Sequence, residues 1–158
     1  MERSSEHFRN TILFRFILFI VAFLWFIGII SPCLNLNILH YAYPYLKLGY
    51  STICHQSLEK SFTCSNSSFL VCARCTGIYF SVFITAFIIL FIKSKIRIKT
   101  NQFIILSMPM LLDVILYSFG FYHYNKIIAA FTGFLFGSSV FFYILNAIEN
   151  SLYSKSRS

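Results

Sequence analysis

Three short stretches carry the residues that can do chemistry. They are Cys54-His55-Gln56, Lys60-Ser61-Phe62, and Cys72-Ala73-Arg74-Cys75-Thr76-Gly77-Ile78-Tyr79. Cys72 and Cys75 are three positions apart, so on a helix starting there both sulfurs lie on one face near the positive dipole end. That placement lowers a thiol pKa, as does Arg74 between them. Such a thiolate pair suits either a metal ion or a redox disulfide. Cys54, His55, Cys72 and Cys75 together supply three sulfurs and one imidazole, a recurring tetrahedral zinc arrangement. Adjacent residues such as Cys54 and His55 are awkward to aim at one ion, and His123 is an alternative nitrogen donor. A c-type haem is excluded at this pair, because Thr76 stands where that motif requires histidine.

The same cysteines also admit a purely structural reading, since cysteines in an oxidising compartment pair as disulfides. Five cysteines leave one unpaired under full oxidation, and Cys33 or Cys64 is the natural odd one. Asp113 falls inside a long apolar block, about 9 Å from its Phe119 end at 1.5 Å per residue. An intramembrane carboxylate marks a functional site by default and faces the bundle interior. Its candidate partners are Arg74, Lys126 or a bound cation. Pro109 interrupts the helix ladder just ahead of it. Gly133 and Gly137 form a Gly-x-x-x-Gly pair, a close-packing face for helices of the same chain or for a homo-oligomer.

What must position these residues is a membrane bundle. Of the 158 residues, 58% are hydrophobic and 11% charged, against about a quarter charged in soluble domains. Four apolar blocks, 12–30, 76–92, 102–119 and 127–148, each approach the roughly 20 residues a helix needs to cross the hydrocarbon core. Backbone groups in lipid must be satisfied internally, so these blocks are expected to be helices despite their β-branched content. The first reads as an uncleaved span: it is long for a signal peptide's apolar region and lacks a small-x-small cleavage site.

The formal charge of +8 sits in short clusters between apolar blocks, not in a basic stripe, so nucleic acid is not an expected partner. Lys and Arg counting gives an orientation instead. Arg3, Arg9, Arg15, Lys93, Lys95, Arg97, Lys99, Lys155 and Arg157 share one side; Lys47, Lys60, Arg74 and Lys126 share the other. That bias places both termini in the cytoplasm and the 31–75 segment outside. Tyr41, Tyr43, Tyr45 and Tyr50 suit a segment at headgroup level, broken by Pro44 and Gly49 so that no long helix is expected there. Residues 65–68 read as loop, and the tail from Ser151 as a disordered end.

Cys-His-Gln, a basic-Ser-Phe, and Cys-x-Arg-Cys-Thr-Gly-Ile-Tyr closely resemble the bacterial membrane proteins grouped as domain of unknown function 2085. Pro109, Asp113, Asn125, Thr132-Gly133 and Gly137 follow in that family's order, so the resemblance spans Tyr50 to Gly137. Val114 departs from a glycine expected after the aspartate. Lys126 or Ala129 stands where an arginine is expected ahead of the Thr-Gly pair. The resemblance implies a small polytopic protein of the bacterial cytoplasmic membrane, and no established reaction.

The expected fold is therefore all-α, one membrane domain of about four spans with an outward cysteine-rich segment. Three functions compete. The first is metal binding, zinc or copper, at Cys54, His55, Cys72 and Cys75. The second is a thiol-disulfide oxidoreductase using Cys72, Cys75 and Cys54, with quinone as electron acceptor. The third is a non-catalytic protein stapled by disulfides. No nucleotide loop or serine-hydrolase elbow is present.

Overall fold

The computed structural model describes residues 2–34, 37–64, 67–92 and 99–155. Lys93, Lys95, Arg97 and Arg157, used in the charge count, and residues 65 and 66 of the expected loop lie outside these. In chain order the elements are α1 (Glu2–Ile30), a 3-10 turn (Ser31–Cys33), α2 (Asn37–Ser51), a second 3-10 turn (Leu58–Lys60), β1 (Ser61–Cys64), β2 (Ser67–Cys72), α3 (Ala73–Phe91), α4 (Thr100–Ser118) and α5 (Lys126–Lys155). The fold is all-α apart from one small antiparallel hairpin. Among the described residues, four stretches are long and apolar enough to cross a membrane: Ile12–Cys33, Ala73–Phe91, Thr100–Ser118 and Lys126–Ile148. Each overlaps one expected block.

α3 is the central helix, packed most extensively on α5 and next on α1, while α4 lies against α5. Small residues set the α3–α5 spacing. A Cβ at Gly77 would overlap the Ala130 carbonyl, one at Gly133 the Arg74 carbonyl, and one at Gly137 Ser81 and the Ile78 carbonyl. The Gly133/Gly137 pair is thus a close-packing face against α3 of the same chain, not a surface turned toward a second copy. Buried hydroxyls line the helix contacts, and each turns back on its own helix. Ser81 donates to Ile78, Thr85 to Ser81, Ser107 to Phe103, Thr132 to Ala129 and Ser139 to Phe136. Each of these donors is satisfied without crossing a helix interface, which suits a bilayer interior.

α1 meets α3 through stacked and tilted ring contacts, Phe19, Phe23 and Phe26 against Phe80, Phe83 and Phe87. At the far end of α3 from the cysteines, Arg15 donates to the Ile92 carbonyl at 2.9 Å and to that of Ile89 at 3.4 Å. A guanidinium on the negative end of a helix is favourable there. α4 buries only Ser107 and Asp113, and its apolar side chains, such as Ile105 and Leu111, face outward. Outward apolar groups suit lipid as solvent.

Four expectations need correcting. α2 runs unbroken through Pro44; one missing N–H and a fixed φ weaken a helix locally, yet α2 packs Leu46 and Tyr50 against the end of α1. Residues 67 and 68, read as loop, open β2, whose Ser68 pairs with Thr63 and whose Cys72 pairs with Ser61. α5 continues to Lys155, through the start of the expected tail. Finally, Cys33 and Cys64 are disulfide-bonded to each other across 31 residues, Cα atoms 6.0 Å apart, so neither is the odd cysteine. The bond ties the turn after α1 to the tip of the hairpin.

Candidate cysteine site

The hairpin and α2 deliver three thiols to the start of α3. β2 ends at Cys72, which stays extended (φ −67°, ψ 162°) as the N-cap residue of α3, so the chain passes from strand to helix at one sulfur. Cys75 follows one turn on. Thr76 donates back to the Cys72 carbonyl at 3.1 Å. Opposite them, three residues beyond the end of α2, sits Cys54, whose N–H donates to the Tyr50 carbonyl at 2.9 Å. Gln56 then takes φ 45°, a left-handed conformation uncommon outside glycine. Its side-chain amide donates to the Lys47 carbonyl at 2.9 Å, tying the turn back to the last turns of α2. In Cys54-His55-Gln56 the cysteine therefore points inward, the histidine outward, and the glutamine makes the turn that follows.

The sulfurs of Cys54, Cys72 and Cys75 lie within 4.8 Å of one another, and none is in a disulfide. Cys54 is buried, 8% exposed, within a cluster of Ile29, Tyr50, Leu70 and Val71. Its thiol is held well below the ordinary range, first by a hydrogen bond from the Cys72 thiol, then by one from Cys75, against the opposing effect of burial. The backbone N–H of Cys72 donates to the same sulfur at 3.2 Å. The Cys72 thiol is pushed up, chiefly by its bond to Cys54. One thiolate accepting from two thiols is the arrangement this implies.

The two histidines of the expected ligand set stay outside. His55 is exposed, and His123, also exposed, sits in the loop between α4 and α5; neither joins the three sulfurs. Arg74 points away from the sulfurs to Asp113, with which it forms a salt bridge; their side chains are 18% and 2% exposed. Of the candidate partners for Asp113, Arg74 is the one used. The second Asp113 oxygen accepts from the Tyr122 hydroxyl, a contact no sequence signal points to. Burial, then that bond, pushes Tyr122 up to about 12. Ala129, one of the two positions where an arginine is expected, is fully buried, and Asp113 is paired by Arg74 instead.

The rest of the long motif also has positions to fill. Ala73 is fully buried, Gly77 admits the Ala130 carbonyl, and Tyr79 meets Trp25 with ring centroids 6.0 Å apart. Ser61 donates to the Ser57 carbonyl at 2.9 Å and pairs with Cys72. Residues 54–143 match the family described as "Predicted membrane protein (DUF2085)". The chain belongs to this family. A stretch of 109 residues, 67% of the chain, is 35% identical to an uncharacterised protein of Methanocaldococcus jannaschii and covers 70% of it. That relative is archaeal, so the likeness extends beyond the bacteria implied by the motifs. No solved structure matches the chain. The family match holds all three thiols, Arg74 and Asp113, but only one sulfur of the disulfide.

Proposed function

We propose that this membrane protein binds a metal ion, zinc or copper, through Cys54, Cys72 and Cys75. The observation that carries the reading is the gathering of three unoxidised sulfurs within 4.8 Å in a segment that forms a disulfide elsewhere. A metal about 2.3 Å from each thiolate needs sulfurs about 4 Å apart, which small side-chain adjustments supply. Three sulfurs with no fourth protein ligand among the described residues leave one position for water on zinc, or a three-coordinate site for cuprous ion; thiolates favour both metals. Asp113 is engaged by Arg74 and Tyr122, so it supports the start of α3 and is not a ligand. Elemental analysis of detergent-purified protein tests the reading. One metal per chain, absent from a Cys72→Ser/Cys75→Ser variant, is the expected result; three freely alkylated thiols in metal-free, native protein would sink it.

A second reading, a thiol-disulfide oxidoreductase, draws on the Cys54 thiolate between two thiol donors. In it a partner dithiol is oxidised to a disulfide by exchange, through Cys54, with a Cys72–Cys75 disulfide, and the two thiols so formed pass two electrons and two protons to a membrane quinone, giving the disulfide again and a quinol. Mixed disulfides trapped in single-cysteine variants separate it from metal binding. Under either reading the excess of Lys and Arg places both termini in the cytoplasm, and the thiols on the far face of the cytoplasmic membrane. Alkylation by a membrane-impermeant maleimide added to intact cells, after metal removal, tests that side.

A further inference from the structure

Two cations converge on one aromatic ring at the cysteine end of the bundle. The Lys60 ammonium lies 4.6 Å from the Tyr117 ring centroid and 5.7 Å from that of Tyr124, and the Arg74 guanidinium carbon lies 5.9 Å from Tyr124. Tyr117 and Tyr124 meet edge to face with centroids 5.4 Å apart. The four side chains come from the turn before β1, the first turn of α3, the last turn of α4 and the loop before α5. All four places are at the same end of the spans, where hydrocarbon gives way to headgroups.

Charge does not balance in this cluster. Asp113 is the carboxylate that meets it, and both its oxygens are engaged, one by Arg74 and one by Tyr122. The Lys60 charge is met by ring faces, which carry no formal charge. Two buried donors lack an acceptor: Arg74 Nε–H and the Tyr124 O–H, whose oxygen has the Arg74 backbone N–H beside it but no group to donate to. Nearly all buried polar groups find a partner, so a pair of orphans on neighbouring side chains calls for an acceptor. Burial pushes the Tyr124 hydroxyl up to about 12, which keeps it a donor at physiological pH.

We infer that Lys60, Arg74 and Tyr124 form a binding site for a phosphate oxyanion, carried by a lipid headgroup or by free phosphate. A single tetrahedral oxyanion has oxygens enough to accept from Arg74 Nε and the Tyr124 hydroxyl together, while its charge offsets that of Lys60. Asp113 holds Nη2 of Arg74 and leaves Nε itself without an acceptor. Phosphate is also the anion that a bilayer concentrates at this depth. The site depends on no metal at the cysteines and stands or falls separately from that reading.

Delipidated protein in detergent is titrated calorimetrically with two probes: inorganic phosphate, and dihexanoyl phosphatidylglycerol kept below its micelle concentration. Saturable binding of the lipid alone assigns the headgroup, and binding of inorganic phosphate assigns the free anion. Tyr124→Phe keeps the ring and removes one donor; its affinity should fall about tenfold, as for one hydrogen bond to a charged group. Lys60→Met should weaken binding further and flatten its salt dependence. Thiol counts in the same preparations show that the variants are folded. If neither probe saturates, or both variants bind like the parent, the site does not exist.

Discussion

The five cysteines divide into two groups that sit at the same end of the bundle and behave oppositely. Cys33 and Cys64 are cross-linked over 31 residues and hold the hairpin tip to the end of α1. Cys54, Cys72 and Cys75 lie within 4.8 Å of one another and remain thiols. What differs is position in the chain. Cys64 ends a strand at the tip of a hairpin, whereas Cys72 ends a strand at the helix dipole and Cys54 sits in an apolar cluster. The first pair is held by a covalent bond, and the second group by an ion pair, Arg74 to Asp113, that fixes the start of α3. Removing the staple should leave the site intact, and removing the clamp on α3 should not.

The largest expected effect comes from taking sulfurs away from the second group. A Cys72→Ser/Cys75→Ser variant should lose its metal entirely, a loss of order 10 kcal/mol in binding free energy if the ion is held as in structural zinc sites. Cys33→Ser/Cys64→Ser should keep one metal per chain. Equal metal loss in both variants, measured by elemental analysis, would erase the distinction between the groups.

Next in size is the clamp. Asp113→Ala leaves the Arg74 charge buried and unpaired, which costs about 3–5 kcal/mol. Its cost should appear both as a lower midpoint in a detergent unfolding assay and as faster alkylation of Cys72 and Cys75 in metal-free protein. Stability loss without any change in thiol reactivity would mean that Asp113 supports the bundle and not the site.

Opening the staple ranks third. Closing a loop of this length restricts the unfolded chain by about 3–4 kcal/mol, so Cys33→Ser/Cys64→Ser should unfold earlier by roughly that amount. Hydrogen exchange should rise in the hairpin of residues 61–72 and stay unchanged in α4. Exchange that rises equally along all spans would show that the disulfide stabilises the whole bundle instead of its cysteine end.

These two groups are unequally legible in the chain. Spans follow from local hydropathy, which length and composition fix, and Cys72 with Cys75 follow from spacing at a helix start. Arg74 is one of three partners the sequence leaves open to Asp113, because an unpaired charge in lipid is costly enough to demand one. The Cys33–Cys64 bond is not legible, since pairing across 31 residues is decided by where a hairpin folds, and that hairpin has strands of only four and six residues. Placing His55 in the ligand set fails for a related reason: the φ of 45° at Gln56 turns the chain where Cys54 faces in and His55 faces out. Tyr122 and Tyr124 carry no local signal at all, because their roles exist only once α3, α4 and α5 meet.

The smallest effect is one of protons, and it separates the groups by sign. A disulfide binds none, so it adds nothing to the pH dependence of folding. The thiols do. Cys54 is held below the ordinary thiol value of 9.0 in the folded chain, so its contribution is present above that value and fades as pH falls toward the folded one. Cys72 is raised, so its contribution is present below 9.0 and fades as pH rises past it. Metal-free protein should accordingly gain stability from neutral pH toward the ordinary thiol range, by no more than about 1.4 kcal/mol per pH unit, the slope for one proton. Above that range it should lose stability again. Cys54→Ser should remove the rising limb relative to the parent and Cys33→Ser/Cys64→Ser should retain it, measured by chemical unfolding at a series of pH values in the presence of chelator. A rising limb that survives Cys54→Ser would move the thiolate to another sulfur.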